Sequence, residues 1–150
     1  MRAVIQRVSE ATITINDAIR KHMGKGMVVL VGIEEGDGQE DVAWLSGKIS
    51  RLRIFDDPQG VMNLSIQETG GTLMIVSQFT LHASTRKGNR PSYIRAAQPE
   101  TAIPLYESFI LQMEKELEHE VVTGEFGAKM DINLTNTGPV TILIDTKHRE

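Results

Sequence analysis

The sequence predicts an α+β fold: a mostly antiparallel β-sheet system carrying two main α-helices, in a single domain over residues 1–150. Three observations predict it. The chain has 150 residues, the length of one domain. Apolar or alternating runs, bounded by Gly, Pro and Asp turns, recur along it. Two windows switch to helical spacing. A domain of this length buries about 70% of the surface its unfolded chain exposes, so it needs neither metal nor disulfide to fold.

Residues 3–15 (AVIQRVSEATITI) read as two short strands with a break near Ser9–Ala11. Gly24-Lys25-Gly26 marks a turn. Met27–Ile33 is a continuous apolar, β-branched run and reads as a buried strand. The first helix follows, with Asp37 as cap and Glu40 three residues on. Val42, Leu45, Ile49 and Leu52 form its apolar stripe, with Trp44 off it. Asp57-Pro58 with Gly60 is turn chemistry, and Gly70-Gly71 is another break. Thr72–Leu81 is a strand apolar on both faces, and residues 82–98 read as a long polar, basic loop. The second helix is expected from Thr101, with Pro104 in its first turn and Ala102, Tyr106, Phe109, Met113 and Leu117 facing inward. Met130–Asn136 and Val140–Asp145 read as two last strands interrupted by Gly138-Pro139.

Composition narrows the function classes. The chain has no cysteine, which excludes a thiol nucleophile and thiolate metal sites and fits a cytoplasmic location. Charges interrupt the first ten residues and no apolar run reaches membrane-spanning length, so neither a signal peptide nor a membrane partner is expected. Net charge is −4, yet no Asp or Glu falls between Glu68 and Glu100, where Arg86, Lys87, Arg90 and Arg95 stand. That segment reads either as a solvated loop or as a phosphate-binding one. His22, His82, His119 and His148 lack metal-ligand spacing, and no cofactor-binding motif is present, so no metal and no cofactor are expected.

Two segments carry candidate chemistry. Ser77-Gln78-Phe79-Thr80-Leu81 ends a buried strand just before the basic loop. Ser77 and Thr80 are nucleophile types, but no base is identifiable beside them, and a strand simply reaching the surface explains them as well. Asn136-Thr137-Gly138-Pro139-Val140-Thr141 lies between apolar runs, where Gly and Pro can leave carbonyls without ladder partners; an ordinary strand connection is the alternative.

Together, MRAVIQRVS, GKGMVVLVGIEEGD, LRIFDDPQGVMNLS, VSQFTL with TRKGNRPS, and TGEFGAKMDINLTNTGPVTILID resemble the D-aminoacyl-tRNA deacylase family, collinearly over nearly the whole chain. The resemblance implies hydrolysis of the ester between a D-amino acid and its tRNA. It implies a homodimer whose active site lies at the subunit interface. Ser77, Gln78, Phe79 and Thr80 match the family's catalytic segment. Gly138-Pro139 matches its Gly-cisPro motif, which acts in trans on the other subunit, and Arg7 matches a residue that holds the motif. Phe126, Met130 and Ala102 match positions around the terminal adenosine of tRNA. The family pattern often carries Asp where this chain has Thr137 and an aromatic where it has His82.

The resemblance also implies a mechanism. Carbonyls of Gly138 and Pro139 fix the substrate α-amino group, and an L side chain then points into the wall. Glycine has no side chain to reject, so mischarged glycyl-tRNA is a substrate too. The RNA 2′-hydroxyl assists, and backbone N–H groups near Phe79 and Thr80 hold the oxyanion; Thr80 as a covalent nucleophile is the competing reading. Arg86, Lys87, Arg90 and Arg95 would position phosphates of the acceptor end without reading sequence. A non-catalytic nucleic-acid-binding dimer and a general esterase stand as alternatives.

Overall fold

A computed structural model describes all 150 residues. Strand β1 (Arg2–Ile15) is central and pairs on both sides. On one side lie β2 (Ile19–Met23), against residues 11–15, and β3 (Gly26–Gly32), against residues 2–8. On the other side β8 (Met130–Asp145) runs along nearly its whole length. These pairings are antiparallel. Next to β3 come β6 (Thr72–Ser77) and β7 (Val122–Thr123), both parallel to their neighbours. A small hairpin, β4 (Phe55–Asp56) with β5 (Met62–Leu64), turns at Asp57-Pro58 as its residues predict.

The expected break near Ser9–Ala11 is a pair of register shifts around Val8, not a strand end. Bulges bend a strand while keeping it paired, so β1 curves from the β3 side to the β2 side. The sheet folds back far enough for Lys21 Nζ on β2 to donate to Thr123 O on β7, at 2.8 Å.

Helix α1 (Gln39–Ser50) buries Val42, Leu45 and Ile49 as the stripe predicts. Its cap is shifted by one residue. Gly38 is the N-cap, and the Asp41 carboxylate accepts from Gly38 N–H at 2.9 Å. Asp37 instead turns inward and accepts from the Met1 ammonium at 2.7 Å and from Glu34 N–H at 2.8 Å. A one-turn helix α2 (Ile66–Thr69) carries a Ser65/Glu68 capping box. Helix α3 spans Pro99–Leu117, two residues earlier than expected, with Pro99 at its start. Pro104 therefore lies beyond the first turn, and its missing N–H leaves the Glu100 carbonyl without a helical donor.

Two apolar clusters flank the sheet. The larger joins Ile5, Val29 and Ile75 to α1 and α3 through Leu45, Ile49, Phe109 and Met113. The smaller fills the curl, with Val8, Ile13, Ile15, Met23, Val28, Met74 and Val76. Residues of opposite parity on β3 feed the two clusters, which is why that strand reads as continuously apolar.

Candidate active site

The segment after β6 closes into a 3-10 turn, Phe79–His82. Its approach is fixed by Gln78 N–H donating to Val31 O at 2.8 Å. Gly32 makes that approach possible: a Cβ there would meet Gln78 O at 2.8 Å and Leu81 Cβ at 3.0 Å. The first bond of the turn is Leu81 N–H to Gln78 O, at 3.3 Å. The Phe79 and Thr80 N–H groups precede it, so helical geometry gives them no acceptor within the turn. Thr80 Oγ1 accepts from Gln78 Nε2 at 2.6 Å, and an amide is not a base. Ser77 and Thr80 are half-buried, whereas Phe79 is 55% exposed and meets Tyr93 edge-on at 5.0 Å.

Arg2 and His82 brace this turn. Arg2 Nη1 donates to Leu81 O at 3.0 Å while its Nε is held by Asp145 at 2.8 Å. Burial alone would raise the Asp145 pKa, but the Arg2 bond and the Lys147 N–H outweigh it and hold it at about 2. His82 is fully buried, and neither ring nitrogen has a hydrogen-bond partner. Its Nδ1 stands 3.8 Å from Glu34 Oε1. Burial depresses its pKa below the ordinary value, so the ring sits there neutral.

The second segment is a loop-out in β8. Gln6 pairs with Thr141 and Val8 with Asn136, so residues 137–140 leave the ladder opposite Arg7. The Gly138–Pro139 bond is cis and Gly138 has φ +130°. Asn136 closes the loop at its base: its Oδ1 accepts from Val140 N–H at 2.8 Å, and its Nδ2 donates to Val140 O at 3.2 Å and Thr141 Oγ1 at 3.0 Å. Arg7 holds the near side, donating from Nε to Thr137 O at 2.9 Å and from Nη1 to Ile54 O at 2.7 Å. Gly138 and Pro139 project into solvent. The clasp at Asn136 adds a residue beyond those the sequence motifs single out. The signal was present, since Asn pairs readily with backbone a few residues on.

Within one chain the two segments are apart. The 3-10 turn is braced at Arg2 and the loop-out at Arg7, five strand residues away, or roughly 17 Å along β1. No hydrogen bond links residues 77–80 to 137–140. Arg7 also faces an open cavity of about 350 Å³, shared with Lys25, Phe55 and Thr137.

The other candidate residues fall into two groups. Phe126 packs against Tyr106 at 6.0 Å, and Tyr106 OH donates to Ile75 O at 3.1 Å, its pKa pushed by burial to about 12. Met130 lies over Gly124, and Ala102 is 4% exposed within the larger core. Arg86, Lys87 and Arg90 are exposed and form no ion pair, while Arg95 pairs with Glu34 at 2.8 Å. The basic segment is not a free coil, because Ser84–Ser92 and Glu34–Ala96 bridges tie it down. No cluster of three or more His, Asp or Glu could hold a metal ion. No helix is long and apolar enough to cross a membrane.

A family model described as D-Tyr-tRNA(Tyr) deacylase matches residues 4–145. The D-aminoacyl-tRNA deacylases of Bacteroides thetaiotaomicron and Bacteroides fragilis are 59% and 60% identical over 150 residues, covering all of both chains. Among solved structures, a c-Myc DNA unwinding element binding protein superposes with TM-score 0.90 at 36% identity, over 97% of this chain and 99% of that one. A probable eukaryotic D-amino acid tRNA deacylase superposes at 0.84 with 16% identity, over 95% and 97%, a likeness of fold. The match over residues 4–145 and the full-length relatives make this chain a member of the D-Tyr-tRNA(Tyr) deacylase family.

Proposed function

We propose that this chain hydrolyses the ester of D-aminoacyl-tRNA, releasing the free D-amino acid and tRNA, as a homodimer in which each Gly138-Pro139 loop works at the partner's Ser77–Thr80 turn. The observation that carries the reading is the spacing along β1. The two segments stand apart in one chain, yet each is held in place, by Arg2 and by Arg7 with Asn136. A twofold partner brings such separated pieces together reciprocally.

In that site the Gly138 and Pro139 carbonyls anchor the substrate α-amino group. Backbone held this way selects by shape: an L side chain meets the wall, and glycine passes, so glycyl-tRNA is cleaved as well. The Phe79 and Thr80 N–H groups receive the oxyanion. A water attacks the ester carbonyl and the vicinal 2′-hydroxyl of the RNA assists the leaving 3′-oxygen. Two features support this over a Thr80 nucleophile: the unbonded N–H groups at the head of the turn, and a Thr80 hydroxyl whose bonded neighbour is an amide. Phe126, Met130 and Ala102 would border the terminal adenosine, and Arg86, Lys87 and Arg90 its phosphates.

Purified protein should cleave D-tyrosyl-tRNA and spare L-tyrosyl-tRNA in matched assays. Binding of nucleic acid with no cleavage of either would favour a non-catalytic reading, to which the DNA-binding relative of 36% identity lends its name.

A further inference from the structure

His82 is a buried histidine that the proposed chemistry leaves idle, and it closes the 3-10 turn whose head carries the Phe79 and Thr80 N–H groups. Its ring packs on Gly32, where a Cβ would come within 3.1 Å of the ring Cδ2. A neutral imidazole carries a proton on one nitrogen, so with neither nitrogen bonded an N–H goes unsatisfied inside the protein, which is costly. The acceptor that would satisfy it is close but engaged. Glu34 Oε1 stands 3.8 Å from His82 Nδ1, just outside hydrogen-bond reach, while Glu34 Oε2 is held at 2.8 Å by Arg95 Nη2. Arg95 belongs to the basic segment, which meets the turn at both ends. Tyr93 packs edge-on against Phe79 at its head, and Arg95 reaches its tail through Glu34. The backbone here is fixed to the end of β3 by the Glu34–Ala96 bridge and by Ala97 N–H donating to Ile33 O at 2.9 Å. The freedom that remains lies in the side chains.

We infer that Glu34 and Arg95 are positioning residues for the turn that receives the oxyanion, acting through His82: one carboxylate is shared between an arginine outside and an imidazole inside, and the one it holds sets where the turn ends. The role of the turn rests on the deacylase reading; the shared carboxylate does not. With the ring neutral, Arg95 keeps Glu34 and the turn stands as described. A ring that takes a proton from water becomes a charged donor and competes for Glu34 Oε1. Closing the 3.8 Å gap draws His82 toward Glu34, and the short turn carries that movement to the Phe79 and Thr80 N–H groups. Burial opposes charge on the ring most strongly. The nearby Gly32 backbone and Glu34 favour it, and the Arg2 guanidinium and Met1 ammonium oppose it. Turnover is therefore full above the folded His82 pKa and falls as pH drops through it. The arrangement lies within one chain around an inaccessible ring, so it does not depend on what covers the outer face.

Competition for one carboxylate fixes the sign of two opposite perturbations. Arg95→Met frees Glu34 for the imidazolium and should move the acid limb of kcat on D-tyrosyl-tRNA to higher pH. Glu34→Gln removes the carboxylate that faces the ring and should move the limb to lower pH. His82→Phe should erase it. Each profile is read against its own plateau, because a merely structural role lowers the plateau and gives no opposed shifts. NMR titration of the same proteins reads the ring directly, its signal assigned by loss in His82→Phe. The Phe79 and Thr80 amide resonances should move at the ring's midpoint, and follow it in both charge variants. Shifts of the same sign in the two variants would overturn the proposal. So would an acid limb that survives His82→Phe, a ring that stays neutral down to the pH at which the protein unfolds, or Phe79 and Thr80 amides indifferent to the ring. If no D-aminoacyl-tRNA is cleaved by wild type yet the amides follow the ring with opposed shifts, the deacylase reading fails and the shared carboxylate stands.

Discussion

Gly138→Ala is the most direct perturbation of the loop-out. Its φ of +130° is a region that L residues rarely adopt, and a side chain there costs about 1–3 kcal/mol. The added Cβ would also stand 2.8 Å from Arg7 Nη2 and 2.9 Å from Val140 Cγ2. Arg7 can move, but only by loosening its bond to Thr137 O, the pin on the loop. A bond from a charged donor contributes about 1.5–3 kcal/mol, and this exposed one belongs at the low end. Together the local penalty is about 3 kcal/mol. If the loop anchors substrate in the transition state, kcat/KM on D-tyrosyl-tRNA should fall about a hundredfold, at roughly 1.4 kcal/mol per tenfold. The melting temperature should fall by only a few degrees, because Gly138 and Pro139 are exposed, belong to neither apolar cluster, and can relax locally without opening the sheet. Steady-state kinetics beside a circular-dichroism melt gives both numbers. A kcat/KM within about threefold of wild type, with the fold intact, would refute an anchoring role for the loop.

Four further outcomes are expected. Thr80→Ala should keep kcat within about tenfold, since only its backbone N–H is assigned work; a loss beyond about a thousandfold with intact tRNA binding would establish a side-chain nucleophile. Light scattering should give about twice the chain mass of 16.6 kDa, and a fully active monomer would sink the trans arrangement. Tyr106→Phe should cost under about 1 kcal/mol in urea unfolding, because Ile75 O keeps a second donor, Gly124 N–H at 3.1 Å; a larger loss would mean the phenol bears more than this bond. His82 gives a pH window. Its folded pKa lies below the ordinary 6.5, so as pH falls through 6.5 the unfolded chain takes up the proton first and stability drops, by at most about 1.4 kcal/mol per pH unit. His82→Phe should flatten that slope, and an unchanged slope would rule the residue out. Asp41 and Asp145 act elsewhere: both are held at about 2, so their contribution is complete above the ordinary 3.8 and is lost as pH falls from there toward 2.

Local signals in the sequence translated well into structure, and non-local ones did not. The α1 stripe of Val42, Leu45 and Ile49 is a property of twelve consecutive residues, and it is buried as read. β2 carries little signal of its own: IRKHM buries one residue in five and owes its strand to pairing with β1. The parallel β3–β6 pair joins residues more than forty apart, a choice no periodicity reveals. The α1 cap lies one residue on for a physical reason: Asp37 has a better partner in the Met1 ammonium than in the helix it precedes. At the candidate site, residue types and family motifs marked Ser77–Thr80, Gly138-Pro139 and Arg7. What they could not supply was the Asn136 clasp, the Phe79–Tyr93 pair, or the separation of the two segments along β1.

The 137–140 excursion also bears on how the sheet meets the outside world. β8 pairs only with β1, so the far side of a 16-residue strand offers unpaired N–H and C=O groups. A border of that length is a template on which a stray strand could zip and seed aggregation. The excursion cuts it near the middle, at a proline that has no N–H to lend. Two short half-borders remain, out of register with each other by the looped residues, and neither accommodates a long flat intruder. The loop proposed to anchor substrate thereby also interrupts that border, and smoothing it into continuous strand would restore an unbroken edge.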